Sequence, residues 1–176
     1  MAVSHPLFAA QSFAHYTERF RLLPNPMNDT VVTDNGEAPN NWFYSHDYGN
    51  VHFVSISTEV MFVEAQHSQV RKQAKWLEND LRNVDRTKTP WVVVHGHRPM
   101  YCSCDADCGE SARMVRTGGY VLHRKYGLEK IFHKYGVDLY LAGHEHNYER
   151  MFDVFEVSRE PRLRSVTFWV LGSKER

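Results

Sequence analysis

Long hydrophobic runs are missing from this chain of 176 residues, and none approaches the length of a transmembrane helix. Low-complexity tracts and coiled-coil heptads are also absent, which argues against a disordered or fibrous protein. The chain has no net charge, because 21 lysines and arginines balance 21 aspartates and glutamates. Without a global electric field, we expect no nucleic acid and no membrane as partners. These features predict no particular oligomeric state.

Cysteine is scarce, and its three copies lie close together at positions 102, 104 and 108. We favour a local disulfide between Cys102 and Cys108, with Cys104 outside that bond. A zinc site is the alternative, although the C-x-C-x3-C spacing is not typical of zinc fingers. Asn28 begins an Asn-Asp-Thr sequon and is a candidate N-glycosylation site in a secreted chain. The first residues have neither the basic start nor the apolar core of a signal peptide, so we expect no export signal in the chain as given.

The hydrophobic pattern predicts strands that alternate with helices. The predicted strands are rich in β-branched or aromatic residues and span 42–48, 51–57, 91–95, 137–142 and 166–171. Apolar residues at helical spacing predict one helix over His67–Val84 and another over Leu128–Tyr135, with Gly136 at the second C-cap. Prolines and turn residues make 1–41 irregular. The β-α-β-α-β order predicts an α/β fold with a parallel sheet.

Histidine is abundant, with 11 copies, and it follows two of the predicted strands. Gly96-His97-Arg98-Pro99 comes after strand 91–95, and Gly143-His144-Glu145-His146 comes after strand 137–142. Ligands of parallel sheets bind beyond the carboxyl ends of the strands. We therefore expect His97, His144 and His146 to converge on a zinc, iron or manganese site. Histidines one residue apart in an extended segment face opposite sides, so His144 and His146 suit two different ions.

The two glycine-histidine segments resemble the C-terminal half of the metallophosphoesterase signature. Three longer stretches resemble the purple acid phosphatase family and lie in 42–59, 73–81 and 143–150. Three others resemble, within that family, the animal type 7 acid phosphatases and lie in 96–103, 126–129 and 135–139. Two of these stretches are Gly96-His97-Arg98-Pro99-Met100-Tyr101-Cys102-Ser103 and Gly143-His144-Glu145-His146-Asn147-Tyr148-Glu149-Arg150. The resemblance covers roughly residues 10–155.

This resemblance implies a partial metallophosphoesterase β-sandwich flanked by helices. Residues 1–155 would be the C-terminal part of the catalytic domain, and 156–176 a divergent tail. The implied activity is acid phosphatase-type hydrolysis of small phosphate monoesters at a binuclear centre of Fe(III) with Fe(II), Zn or Mn. His97 and His144 match ligands of the divalent ion, and His146 matches a ligand of the ferric ion. The implied location is secreted or lysosomal.

The sequence departs from the family in its remaining ligands. The family patterns Asp-x-Gly, Gly-Asp-x-x-Tyr and Gly-Asn-His are not found as a series; Asp34-Asn35-Gly36 fits only the first and sits in a predicted turn. We therefore expect a C-terminal fragment that binds at most one ion, weakly. An inactive remnant and a single-metal-binding domain are the alternatives from another functional class. A phosphodiesterase of the same superfamily is the alternative among enzymes.

No catalytic or substrate-binding residue is assigned from the sequence. Where plant relatives carry a histidine pair, this chain has Asp105-Ala106-Asp107-Cys108, which we expect to form part of a loop. Glu149 and Arg150 match the family stretch, but a salt-bridged turn is the interpretation we favour. His95 ends a predicted strand near the site, and we expect it to support the ligands rather than bind metal.

Overall fold

The computed structural model describes residues 42–62, 67–104, 106–118, 126–156, 158–159 and 167–171. The predicted irregular segment 1–41 and the sequon at Asn28 lie outside these ranges. None of the helices in the described ranges is both long enough and apolar enough to cross a membrane.

A six-stranded sheet forms the centre of the fold. Its strands and those of a separate two-stranded ribbon are β1 (Tyr44–Tyr48), β2 (Val51–Ser55), β3 (Trp91–Gly96), β4 (Leu139–Ala142), β5 (Tyr148–Arg150), β6 (Val154–Phe155), β7 (Ser158–Arg159) and β8 (Thr167–Leu171). The sheet has the order β1-β2-β3-β4-β8-β5, and β6 pairs with β7 in the ribbon. The four central strands are parallel, whereas β1 and β5 are antiparallel to their neighbours at the two edges.

In the part of the chain that the structure describes, three α-helices and one short 3-10 helix connect the strands. They are the 3-10 helix Glu59–Met61, α1 (His67–Asn83), α2 (Ala106–Thr117) and α3 (Leu128–Tyr135). The predicted apolar face of α1 is buried, with Leu77 fully inaccessible to solvent. Gly136 ends α3 in the left-handed conformation, with φ 64°, where glycine carries no Cβ penalty. These helices pack on one face of the sheet, where Val54, Val94 and Tyr140 are buried.

The structure confirms the predicted α/β fold, and each predicted strand and helix has a counterpart within a few residues. Helix α2 was not predicted: residues 105–108 were expected to form part of a loop, and no element was assigned to 109–117. Its buried residues Cys108, Ala112 and Val115 have helical spacing, but two of them are small and give a weak hydrophobic signal. Strand β8 lies within 156–176 and pairs with both β4 and β5. The domain boundary near residue 155 stays a prediction.

Candidate metal centre

The candidate site lies where β3 and β4 end side by side. Gly96 and Ala142 are register partners in the parallel pair, so the segments after them leave the sheet at the same edge. The Gly143 amide donates a hydrogen bond to the His97 carbonyl oxygen at 2.9 Å and ties the two segments together. This backbone contact places His97 and His144 beside each other, as the sequence predicted.

The imidazoles of His97 and His144 face each other directly. His97 Nε2 lies 2.9 Å from His144 Nδ1, which is hydrogen-bonding distance. The ring centroids are 4.8 Å apart and the ring planes meet at 82°. The two nitrogens converge on one small volume. The pair therefore offers one metal ligand from the segment after β3 and one from the segment after β4.

Arg98 determines which His144 nitrogen carries the proton. Arg98 Nη1 lies 3.0 Å from His144 Nε2, and a guanidinium can only donate. His144 Nε2 is therefore the acceptor, and in the neutral ring Nδ1–H donates to His97 Nε2. One proton thus lies between the two facing nitrogens, and a cation that binds there must displace it.

Arg98 is itself held by several contacts. Its guanidinium reaches both carboxylate oxygens of Glu59, at 2.7 and 3.2 Å, and donates to Ser111 Oγ at 3.1 Å. It also lies over the Phe62 ring, 4.2 Å from the centroid. These contacts fix the guanidinium against His144. No role of Arg98 was predicted, although its position directly after His97 was a usable signal.

The environment of His144 favours its neutral form. Burial, followed by the positive charges near it on Arg98 and His97, lowers the pKa of His144 below its ordinary value. Neutral imidazole is the form that binds metals. The backbone of His144 has φ 70°, a conformation that is uncommon for residues other than glycine. This unusual turn directs the ring towards His97.

His146 does not join the facing pair. It is exposed, and within the described ranges no hydrogen bond or ion pair links it to His97 or His144. Among the described residues, His97, His144 and His146 do not form a group of three metal-ligating atoms close enough to hold one ion. His95 lies upstream on β3, where burial and then His46 lower its pKa; no contact joins it to the facing pair.

The donor atoms of His97 and His144 supply part of the coordination that a divalent transition metal requires. Two imidazole nitrogens converge, and imidazole suits zinc, iron and manganese sites. A complete coordination sphere needs at least four donors, so further ligands are required beyond this pair. The residues present therefore fit half of a metal site rather than a closed one.

The remaining predicted residues lie next to this centre. Cys102 and Cys108 form a disulfide with their Cα atoms 6.2 Å apart. The predicted turn at Glu149 and Arg150 is wrong, because both residues lie in β5 and pair with β8. Glu149 Oε2 accepts a hydrogen bond from the Ser103 amide at 3.1 Å, which links β5 to the cysteine segment.

Comparison with known proteins identifies the class to which this site belongs. The calcineurin-like phosphoesterase family matches residues 4–148. The chain belongs to this family of metallophosphoesterases.

The relatives to which this chain is similar include acid phosphatases. Acid phosphatase type 7 of Mus musculus is 42% identical over 82% of this chain, and that of Homo sapiens is 41% identical over 85%. The solved purple acid phosphatase PPD1 of yellow lupin (Lupinus luteus) superposes with a TM-score of 0.54 at 27% identity, covering 74% of this chain. The matches span 31% of the mouse protein, 33% of the human protein and 23% of the lupin chain. The chain thus corresponds to about a third of the length of these curated relatives.

Proposed function

We propose that this chain contributes imidazole ligands to a binuclear metal centre that hydrolyses small phosphate monoesters. Membership of the phosphoesterase family supports the reaction class. The observation that carries the proposal is the 2.9 Å approach of His97 Nε2 to His144 Nδ1 at the adjoining ends of β3 and β4.

In this proposal His97 and His144 hold a divalent ion of iron, zinc or manganese, and His146 holds a ferric ion. Bound metal ions of this kind polarise phosphoryl oxygens and lower the pKa of water. Arg98 is a positioning residue, because its guanidinium fixes the His144 ring from the side opposite His97. The family's carboxylate, tyrosine and asparagine ligands would complete the centre.

A single-metal-binding domain is the second candidate. It is favoured by one observation: His97 and His144 converge on one small volume, whereas the family's other ligand patterns are not found as a series in the sequence. In that case the described part of the chain would hold one ion, weakly, and no phosphate ester would be turned over. Two ions per chain would therefore exclude the single-metal domain.

The test is to purify the chain, load it with iron and zinc, and measure metal per chain together with hydrolysis of p-nitrophenyl phosphate at mildly acidic pH. Two ions with turnover that His97→Ala abolishes would show that this chain forms the binuclear centre without the missing family ligands. One ion without turnover is the result expected both of the single-metal domain and of a chain that supplies only part of the binuclear centre. His133→Ala is the matched control, because His133 lies in the last turn of α3, before the start of β4 and away from its metal-site end. Equal metal content in the His97→Ala variant and the unaltered chain would contradict both.

We also propose a secreted or lysosomal location for the chain. The Cys102–Cys108 disulfide supports it, because such bonds persist in oxidising compartments. The sequon at Asn28 supports it independently. Expression behind an export signal should give a glycosidase-sensitive product, and Asn28→Gln should abolish that sensitivity. A product of the same mobility before and after glycosidase treatment would contradict glycosylation at this position.

A further inference from the structure

The three cysteines form a compact sulfur cluster beside the candidate metal centre. The Sγ atoms of Cys102, Cys104 and Cys108 all lie within 4.8 Å of one another. Tetrahedral zinc requires sulfur atoms about 3.8 Å apart, since each Zn–S bond is about 2.3 Å. Among the described residues, the three cysteines are the group of three or more metal-ligating side chains whose ligand atoms lie within 4.8 Å of one another. Modest rotation of the cysteine side chains therefore suffices to surround one ion.

A carboxylate completes the cluster. Glu145 Oε2 lies 3.5 Å from Cys104 Sγ, and the Glu145 side chain is 17% exposed. Carboxylate oxygens are ordinary fourth ligands of zinc. The hydrogen bond from the Ser103 amide to Glu149 holds the cysteine segment against this part of the chain. The cluster thus has three sulfur donors from one segment and one oxygen donor from another.

One feature of the position of Cys108 favours a thiolate: it lies in the first turn of α2, a helix of 12 residues. Its burial, with 2% of the residue exposed, opposes a free thiolate, so the metal ion must supply the balancing charge. The positive end of a helix dipole stabilises thiolates, which are the form of cysteine that binds metals. We propose that, once the Cys102–Cys108 disulfide is reduced, the thiolates of Cys102, Cys104 and Cys108 bind one zinc ion with the Glu145 carboxylate as the fourth ligand.

The two states of the cluster exclude each other. A phosphine reductant and one water convert the disulfide into two thiols, while the phosphine becomes a phosphine oxide. Zinc then replaces the protons of the three thiols. A disulfide oxidant that accepts the two electrons and is itself reduced to two thiols re-forms the Cys102–Cys108 bond, which removes these two sulfur atoms from the metal. The inference does not depend on the proposed function, because it uses different donor atoms.

The test is a cobalt titration of the full chain, reduced with a phosphine under anaerobic conditions and stripped of metal. Co²⁺ replaces Zn²⁺ in tetrahedral sites and gives a thiolate-to-cobalt charge-transfer band that imidazole ligation does not give. We expect this band to saturate at one ion per reduced chain, and zinc to displace the cobalt. The oxidised chain should show no such band.

Variants identify the ligands. Cys104→Ser and Glu145→Gln should each weaken binding by at least about tenfold. His133→Ala is the matched control and should leave the band unchanged, because His133 lies in the last turn of α3 and is not among the proposed ligands. A reduced, unaltered chain without the band overturns the inference whatever the phosphatase assay gives. A band of equal affinity in Cys104→Ser overturns the three-cysteine site.

Discussion

The Tyr140 hydroxyl donates a hydrogen bond to the Arg98 carbonyl oxygen at 2.7 Å. Tyr140 lies in β4 and is 1% exposed, so this bond joins the middle of the sheet to the segment that follows β3. Burial, followed by the negative charge of Glu59, raises the pKa of Tyr140 far above its usual value, and the hydroxyl stays a donor. This bond therefore fixes the loop that carries His97 to the central sheet.

Removing this hydroxyl should destabilise the fold. Tyr140→Phe leaves the Arg98 carbonyl without this buried donor, so we expect the free energy of unfolding to fall by about 1–3 kcal/mol. Chemical denaturation measures the change. Tyr148→Phe is the control: its side chain is 65% exposed, and a change within about 0.5 kcal/mol is expected. Equal effects of the two substitutions would contradict a structural role for the Tyr140 bond.

Gly96 should not tolerate a side chain. A Cβ there would lie 2.7 Å from the Tyr140 hydroxyl and 3.0 Å from Thr58 Cγ2. We expect Gly96→Ala to destabilise the fold by about 1–3 kcal/mol through overpacking. Gly109→Ala is the matched control, because Gly109 lies in α2 with no atom within 4 Å of its added Cβ. That substitution should stabilise the fold by roughly 0.5–1 kcal/mol, so a Gly96→Ala chain as stable as Gly109→Ala would refute the account.

The stability that the His52 contact between β2 and α1 contributes to the fold should depend on pH. His52 lies 2.6 Å from Asp47 Oδ1 and 3.0 Å from Asp80 Oδ2. Burial opposes the charged ring, but hydrogen bonds to Asp80 and Asp47 outweigh it and raise the pKa of His52 above 6.5. The ring's charge therefore stabilises the fold fully below pH 6.5, and this stabilisation is lost as the pH rises through the raised value.

Two variants test this pH dependence. The difference in free energy of unfolding between the unaltered chain and His52→Gln should be largest at acid pH and shrink towards alkaline pH. Asp80→Asn should flatten the same profile, because it removes one of the two carboxylates that favour the charged ring. A difference that stays constant across this range would show that His52 contributes through packing alone.

Arg98 should control the protonation of His144. Its charge is one of the causes that lower the His144 pKa, so Arg98→Gln should raise that pKa towards the ordinary value. NMR titration of the imidazole resonances measures the shift directly. Arg82→Gln is the control, since Arg82 donates to the Tyr135 hydroxyl elsewhere on the surface. An unchanged His144 pKa in Arg98→Gln would contradict the positioning role of this guanidinium.

The sequence predicted the fold better than it predicted the site. Short buried strands such as 91–95 combine β-branched residues with turn signals, so both their type and their parallel order could be inferred. Helix α2 was not predicted because Cys108 and Ala112 give only a weak hydrophobic pattern. Glu149 and Arg150 were placed in a turn because nothing local indicates pairing with a strand as distant as β8.

The approach of His97 to His144 was predictable because parallel strands end at one edge of a sheet. The position of His146 was not, since the direction of a side chain after a strand depends on one or two backbone torsions. His144 itself adopts φ 70°, which an alternating strand pattern does not anticipate. The role of Arg98 also required coordinates, because Glu59 and Ser111 are distant from it in sequence.

The most direct test of the central claim is zinc binding to the oxidised chain, in which the disulfide keeps two of the sulfur atoms out of the measurement. Isothermal titration of the unaltered chain should detect an ion bound weakly between His97 and His144. His97→Ala and His144→Ala should each abolish that binding, while His133→Ala should retain it. Zinc binding of equal strength in all four proteins would contradict a metal centre at the ends of β3 and β4.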